Sequence, residues 1–206
     1  MNATGRRRVL LLFAHPAYAR SRANRALLEA ARTVEDVTIH DLYEAYPDFD
    51  VDVAREQELL TSHDVVVLQH PFFWYSTPAL VKQWEDLVLE HGWAYGKGGD
   101  ALHGKWLVQA ITTGGPEAAY CAEGRNRFTI RELVRPLEQT ARLCGMRFLP
   151  PFLVQGTLDM TEERLRSHAA EYVRILRGLR DGAYADEAED TAACLCAPAT
   201  SASGDA

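Results

Sequence analysis

The sequence predicts an α/β fold, a doubly wound five-stranded parallel sheet with helices on both faces. Three observations predict it. Residues 8–14 (RVLLLFA), 64–69 (DVVVLQ) and 105–112 (KWLVQAIT) are short continuous apolar runs, too short for full helices, and read as strands buried on both faces. Segments with helical spacing lie between them. The order βαβαβαβαβα then requires parallel strands joined by crossover helices.

The elements follow in order. Strand 8–14 leads to a helix over 21–34 that opens on Ser21 as N-cap and sets Ala23, Leu27, Leu28 and Ala31 on one stripe. Residues 37–42 alternate as a second strand, and 51–63 form a second helix. Strand 64–69 is followed by a helix over 77–92, with Thr77 as N-cap, Pro78 at the first helical position and Gly92 as the stop. After strand 105–112, residues 127–145 read as a helix kinked at Pro136. The fifth strand falls in 146–157, interrupted by two prolines, and an amphipathic helix over 161–180 closes the domain. Residues 1–7 are an N-terminal extension in which Arg6–Arg8 are expected to be a solvated tail, 8–180 the domain, and the Ala-, Asp- and Ser-rich 181–206 a disordered tail. Five such strands predict the flavodoxin-like arrangement.

The chain has 206 residues, enough for one domain with a large core, and its 47% hydrophobic and 25% charged residues are ordinary for a soluble protein. A net charge of −7 argues against nucleic acid as the main partner. No apolar run approaches the ~20 residues of a membrane span, and the start lacks the features of a signal peptide. The four cysteines, Cys121, Cys144, Cys194 and Cys196, show no metal-type spacing, so a reducing cytoplasm is expected. The histidines form no H-x-x-x-H pair, and G-x-S-x-G, G-x-G-x-x-G and Walker signatures are absent.

In an open parallel sheet, ligands bind beyond the carboxyl ends of the strands where strand order reverses. Three distinctive loops end the strongest strands: 14–24 (AHPAYARSRAN), 69–78 (QHPFFWYSTP) and 112–127 (TTGGPEAAYCAEGRNR). In the first, Ser21 and the unpaired first-turn N–H groups of Arg22, Ala23 and Asn24 suit a phosphate. Ser21 reads equally as a plain N-cap, and His15 equally as a satisfied edge histidine or a ligand contact. In the second, Phe72, Phe73, Trp74 and Tyr75 either close a core or hold something flat. In the third, Gly114 and Gly115 allow close approach and unusual dihedrals, or simply turn the chain. A phosphate corner, a ring-rich loop and an amide-rich loop on one edge would accept a flavin mononucleotide.

These motifs resemble the flavodoxin-like NAD(P)H:quinone oxidoreductases, in particular the ancillary subunits of glutathione-regulated potassium-efflux systems. The resemblance covers residues 8–178 and rests on AHP with SRAN (14–24), LYEAYPDFDVDVAREQ (42–57), QHPFFWYSTPALVKQWED (69–86), HGWAYGKGGDALHGK (91–105), TTGG (112–115) and CGMRFLPPF (144–152). It implies FMN, with FAD as the alternative found in the larger quinone reductases. It implies that His15, Ser21, Arg22, Ala23 and Asn24 hold the phosphate and ribityl end, that Phe72, Phe73, Trp74 and Tyr75 line the isoalloxazine, and that Thr112, Thr113, Gly114 and Gly115 bond its polar edge. It also implies NAD(P)H as donor, a quinone as acceptor taken in ping-pong order, and a homodimer with its site at the subunit boundary. Tyr120 falls at the position of a catalytic Tyr, whereas the accompanying His is replaced by Asn126. Trp93 and Tyr95 are expected on the substrate or dimer side, with His103 orienting their loop. A regulatory subunit docked on a potassium-efflux transporter, at the inner face of the membrane, is the competing expectation. A flavodoxin-like one-electron carrier is the third, and it would not need the aromatic patch.

Overall fold

The computed structural model describes residues 5–184 together with 194 and 195. Strands β1 (Val9–Phe13), β2 (Val37–Asp41), β3 (Val65–Pro71), β4 (Trp106–Thr112) and β5 (Arg147–Phe148) form one parallel sheet in the order β2-β1-β3-β4-β5. The chain builds β2 outward on one side of β1 and then crosses to β3 on the other. Strand order therefore reverses between β1 and β3, which opens a crevice at their carboxyl ends.

The expected fifth strand is divided. β5 pairs with the start of β4, and β6 (Phe152–Val154) pairs with its end at Ala110–Thr112. Pro150 and Pro151 lie between, and a proline cannot donate to a ladder. The helices are α1 (Arg22–Ala31), α2 (Leu42–Ala45), α3 (Val53–Ser62), α4 (Ala79–Val88), α5 (Ile130–Leu133), α6 (Arg135–Leu143) and α7 (Glu162–Asp181). α1 and α7 cover one face around Val9, Leu11, Phe13, Val65 and Val67. α3 and α4 cover the other around Leu10, Leu12, Val66 and Leu68. Each fully buried Leu or Val contributes about 1.5–3 kcal/mol relative to exposure.

Most boundaries shift by one to three residues from the sequence reading, α1 ending at Ala31 instead of 34, and three differences have a local cause. α4 starts one residue late because Pro78, extended at ψ 151, is itself the N-cap, and Thr77 lies outside the helix. The residue before a proline is pushed out of the helical region. α4 also stops at Val88, and Gly92 sits beyond it with φ 88, its N–H donating to Tyr95 O. The helix over 127–145 breaks at Val134 into α5 and α6, so Pro136 begins a helix, where its missing N–H costs little, instead of kinking one.

The expected solvated start is tied down. Arg6 pairs with Asp36 at 3.5 Å and Asp181 at 3.4 Å, the Arg7 guanidinium lies 3.7 Å from the Trp106 ring centroid, and Arg8 N donates to Asp64 Oδ2 at 2.7 Å. Of the expected disordered tail, Asp181 ends α7, and Tyr184 and Leu195 are buried against the α1–α7 core, with Leu195 N donating to Pro151 O. Residues 185–193 and 196–206 lie outside the described residues. Among those described, no helix is long and apolar enough to cross a membrane.

On the α3–α4 face, Glu56 is fully buried and accepts from His40 Nε2 (2.7 Å), Tyr46 OH (2.6 Å) and Trp84 Nε1 (2.8 Å). Burial pushes its pKa up, but these hydrogen bonds outweigh burial and hold it below the usual carboxylate value. The cluster joins β2, α2, α3 and α4.

Candidate functional site

The three strand-end loops meet around a cavity of about 450 Å³ beside the β1–β3 crevice. It is lined by nine of the residues read from the sequence: His15, Ser21, Arg22, Ala23, Asn24, Phe72, Phe73, Thr112 and Gly114.

The first loop leaves the buried end of β1. His15 Nδ1 accepts from Ala17 N at 3.0 Å, so the neutral ring carries its proton on Nε2. Burial lowers the His15 pKa, partly opposed by a hydrogen bond to the residue's own backbone. A single 3₁₀ turn, Tyr18–Arg20, delivers the chain to Ser21. Ser21 is extended (φ −91, ψ 114), and its Oγ accepts from Asn24 N at 3.1 Å. The capping reading is thus realised, and it leaves the Ser21 hydroxyl proton and the amides of Arg22 and Ala23 at the positive end of α1. The Arg22 guanidinium turns away to Met160 O (3.1 Å) and Glu162, so Arg22 offers its backbone. Arg20, not singled out from the sequence, lines the cavity with an exposed side chain. A basic residue next to a helix N-cap was the signal for it.

The aromatic run divides in two. Phe72 N donates to Thr112 O at 2.8 Å, which holds the start of the loop against β4. Phe73 and Ser76 exchange backbone hydrogen bonds of 3.1 and 3.0 Å around Trp74 (φ 48) and Tyr75 (φ 65). Two positive-φ residues inside such a pair make a type I′ turn, normally Asn-Gly. Bulky side chains there cost roughly 1–2 kcal/mol each. Phe72 and Phe73 wall the cavity, and Phe73 meets the His15 ring edge-to-face at 5.9 Å. Trp74 and Tyr75, expected in the same wall, do not line the cavity: Trp74 is 93% exposed, and Tyr75 OH donates to Asn126 Oδ1 at 3.3 Å. The turn carries both side chains outward.

In the third loop, Thr112 and Gly114 line the cavity, whereas Thr113 and Gly115 do not. The Thr113 hydroxyl is spent on Gly115 O at 2.7 Å, and its carbonyl accepts from Thr157 N and Oγ1. Neither glycine has a positive φ, so unusual dihedrals are not their reason. At Gly115 the reason is close approach, because a Cβ there would sit 3.3 Å from the Tyr120 ring. Tyr120 packs behind Phe72 (6.1 Å between centroids) and does not line the cavity, so the expected catalytic Tyr has no direct contact with it. Burial raises the Tyr120 pKa, with hydrogen bonds to Thr113 and Asn126 opposing.

The sequence reading missed Thr157 and Leu158, which the loop after β6 folds over the cavity mouth; Leu158 is 78% exposed. His70 ends the apolar run but is a core residue. It is fully buried, with Nδ1 2.9 Å from Pro71 O and Nε2 3.1 Å from Gln109 Oε1, and burial lowers its pKa. Trp93 and Tyr95 pack on the α3–α4 core, and the His103 ring lies against Gly145, away from the cavity.

The donor set fits a phosphorylated flat ring. Two amides, a hydroxyl and a guanidinium gather at one end, Phe72, Phe73 and Leu158 at the sides, and the Thr112 hydroxyl between. These features lie on the strand-end edge of a doubly wound protein, where such folds take their ligands. The family described as Flavodoxin-like fold matches residues 7–176, and the chain belongs to it. The glutathione-regulated potassium-efflux system ancillary protein KefG of Serratia proteamaculans is 51% identical over 170 residues, 82% of this chain and 93% of that protein. Among solved structures, general stress protein 14 in complex with FMN from Treponema denticola aligns with a TM-score of 0.81 and 37% identity, covering 84% of this chain and 99% of that one. An NADPH-quinone reductase from P. pentosaceus aligns at 0.75 and 34%, covering 82% and 96%. The family resemblance read from the motifs is borne out.

Proposed function

We propose that this chain is an FMN-dependent NAD(P)H:quinone oxidoreductase that works by two-electron hydride transfer in ping-pong order, as a cytoplasmic homodimer. The observation that carries the reading is the cavity between β1 and β3, with an anion corner at one end and a ring wall beside it. The FMN-bound and quinone-reductase neighbours support it. FAD, the alternative cofactor, would have to extend beyond the same corner.

When bound, the flavin would take a hydride from NAD(P)H and pass two electrons to a quinone; this is the cofactor's own chemistry. The residues of the chain place and hold it. The amides of Arg22 and Ala23, the Ser21 hydroxyl and Arg20 bind the phosphate. His15 Nε2 and Thr112 donate to the polar chain beyond it. Phe72 and Phe73 exclude water from one ring face, and the free backbone of Gly114 approaches the ring edge. Tyr120 holds Phe72 in place and acts as a positioning residue. The open side beside Trp74 is where donor and acceptor take turns, and its exposure is what a second copy of the chain would cover.

The test is steady-state oxidation of NADH and NADPH with a benzoquinone by the purified chain, with and without added FMN. Turnover that requires FMN and gives parallel double-reciprocal lines supports the proposal. No flavin-dependent turnover with either nucleotide sinks it. A second reading, an ancillary subunit bound to the inner face of a potassium-efflux transporter, is favoured by the KefG likeness. Co-purification with such a transporter from membranes supports that reading, and failure to co-purify counts against it.

A further inference from the structure

Four buried side chains run in a line from α7 to the cavity. Tyr172 OH lies 3.2 Å from Gln69 Oε1. Gln69 Nε2 lies 3.0 Å from Asn24 O and 3.4 Å from Asn24 Oδ1. Asn24 Nδ2 lies 2.7 Å from Thr112 Oγ1. All four are at least nine-tenths buried, and Thr112 lines the cavity.

The direction of every proton in this line is fixed by one group. The main-chain carbonyl of Asn24 can only accept, so the end of the Gln69 amide facing it must be NH₂. The Gln69 oxygen then faces Tyr172, whose hydroxyl must donate. The same NH₂ faces the Asn24 side-chain oxygen, which leaves the Asn24 NH₂ to donate to Thr112. The Thr112 oxygen accepts there, so its own proton is left for the cavity. Hydrogen bonds aligned in one direction polarise one another. Tyr172 touches nothing in the cavity: its ring stacks on Phe152 at 5.3 Å, inside the α1–α7 core.

We propose that Tyr172 and Gln69 are positioning residues for the ligand site. Through Asn24 they orient the Thr112 hydroxyl as a donor to an acceptor atom of the bound ligand. For the identity of that ligand the inference rests on the flavin reading.

The experiment is a double-mutant cycle on FMN affinity, read by flavin fluorescence in the full chain, with Tyr172→Phe, Thr112→Val and the double variant. Tyr172→Phe keeps the ring and removes only the hydroxyl. The expected result is an FMN Kd raised about fivefold by Tyr172→Phe, and no further rise when it is added to Thr112→Val. A general loosening of the core would add to Thr112→Val instead, so additive effects overturn the proposal, as does a Kd within twofold of wild type in Tyr172→Phe. If Tyr172→Phe fails to fold, Gln69→Met takes its place in the cycle under the same criteria. A second readout needs no flavin: side-chain amide exchange of Asn24 and Gln69 in the ligand-free protein. It should quicken at least tenfold in Tyr172→Phe relative to wild type, and unchanged exchange overturns the proposal. If wild type binds no FMN, the flavin reading fails and this exchange measurement alone decides the proposal.

Discussion

The two ends of the cavity are built on opposite principles. At the α1 corner hydrogen bonds within the chain fix the side chains and leave donors facing the cavity: Ser21 caps Asn24, Asn24 bonds Gln69 and Thr112, and His15 accepts from Ala17. At the aromatic turn, Trp74 and Tyr75 hold left-handed conformations that their side chains disfavour, and Trp74 is almost fully exposed. The corner is complete in one chain and is stabilised by burial. The turn stores strain, which persists only where surrounding structure imposes it, and such strain clusters at ligand clamps. The first region is held by its own hydrogen bonds, and the second is strained and exposed.

The largest expected effect is at the corner. Asn24→Ala removes the donor to the buried Thr112 hydroxyl and one of the two acceptors of the buried Gln69 amide. It should cost about 1–3 kcal/mol in urea unfolding and at least tenfold in FMN affinity. Ser21→Ala removes the cap and should cost about 1 kcal/mol, with a smaller loss of FMN binding. Acid should act on the corner through His15 and on the core through His63 and His70. His15, His63 and His70 have pKa values lowered first of all by burial. The unfolded chain therefore takes up protons on these groups more readily than the fold. Their contribution to stability is complete above about pH 6.5 and is lost progressively as pH falls below it. The melting temperature should drop in that direction, and His15→Gln should drop less steeply. The smallest stability effect, of opposite sign, is at the turn. Trp74→Gly relieves a left-handed conformation and should leave stability unchanged or raise it by up to about 1 kcal/mol, while quinone turnover falls. A large destabilisation by Trp74→Gly would erase the contrast between the two regions.

Much of this was legible in the sequence because it is periodic or local. The apolar runs set β1, β3 and β4, and Ser21 announced its own helix start. The edge on which the three loops converge followed from strand order alone. What was not legible depends on backbone conformation or on distant partners. Four consecutive aromatic residues look alike as letters, but a two-residue turn sends Trp74 and Tyr75 outward and leaves Phe72 and Phe73 at the cavity. Thr113 and Thr112 are neighbours, yet strand alternation and the Gly115 carbonyl give them different tasks. Leu158 and Thr157 reach the site only because the loop after β6 folds back on Thr113. Tyr172 lies 103 residues from Gln69 and carries no local signal at all.

The central claim is that the α1 corner holds the phosphate of a flavin. The most direct measurement is titration of the flavin-free protein with FMN and, separately, with riboflavin, which lacks the phosphate. The account predicts one FMN bound per chain and at least tenfold weaker binding of riboflavin. Equal affinity for the two, or no binding of either, would contradict it.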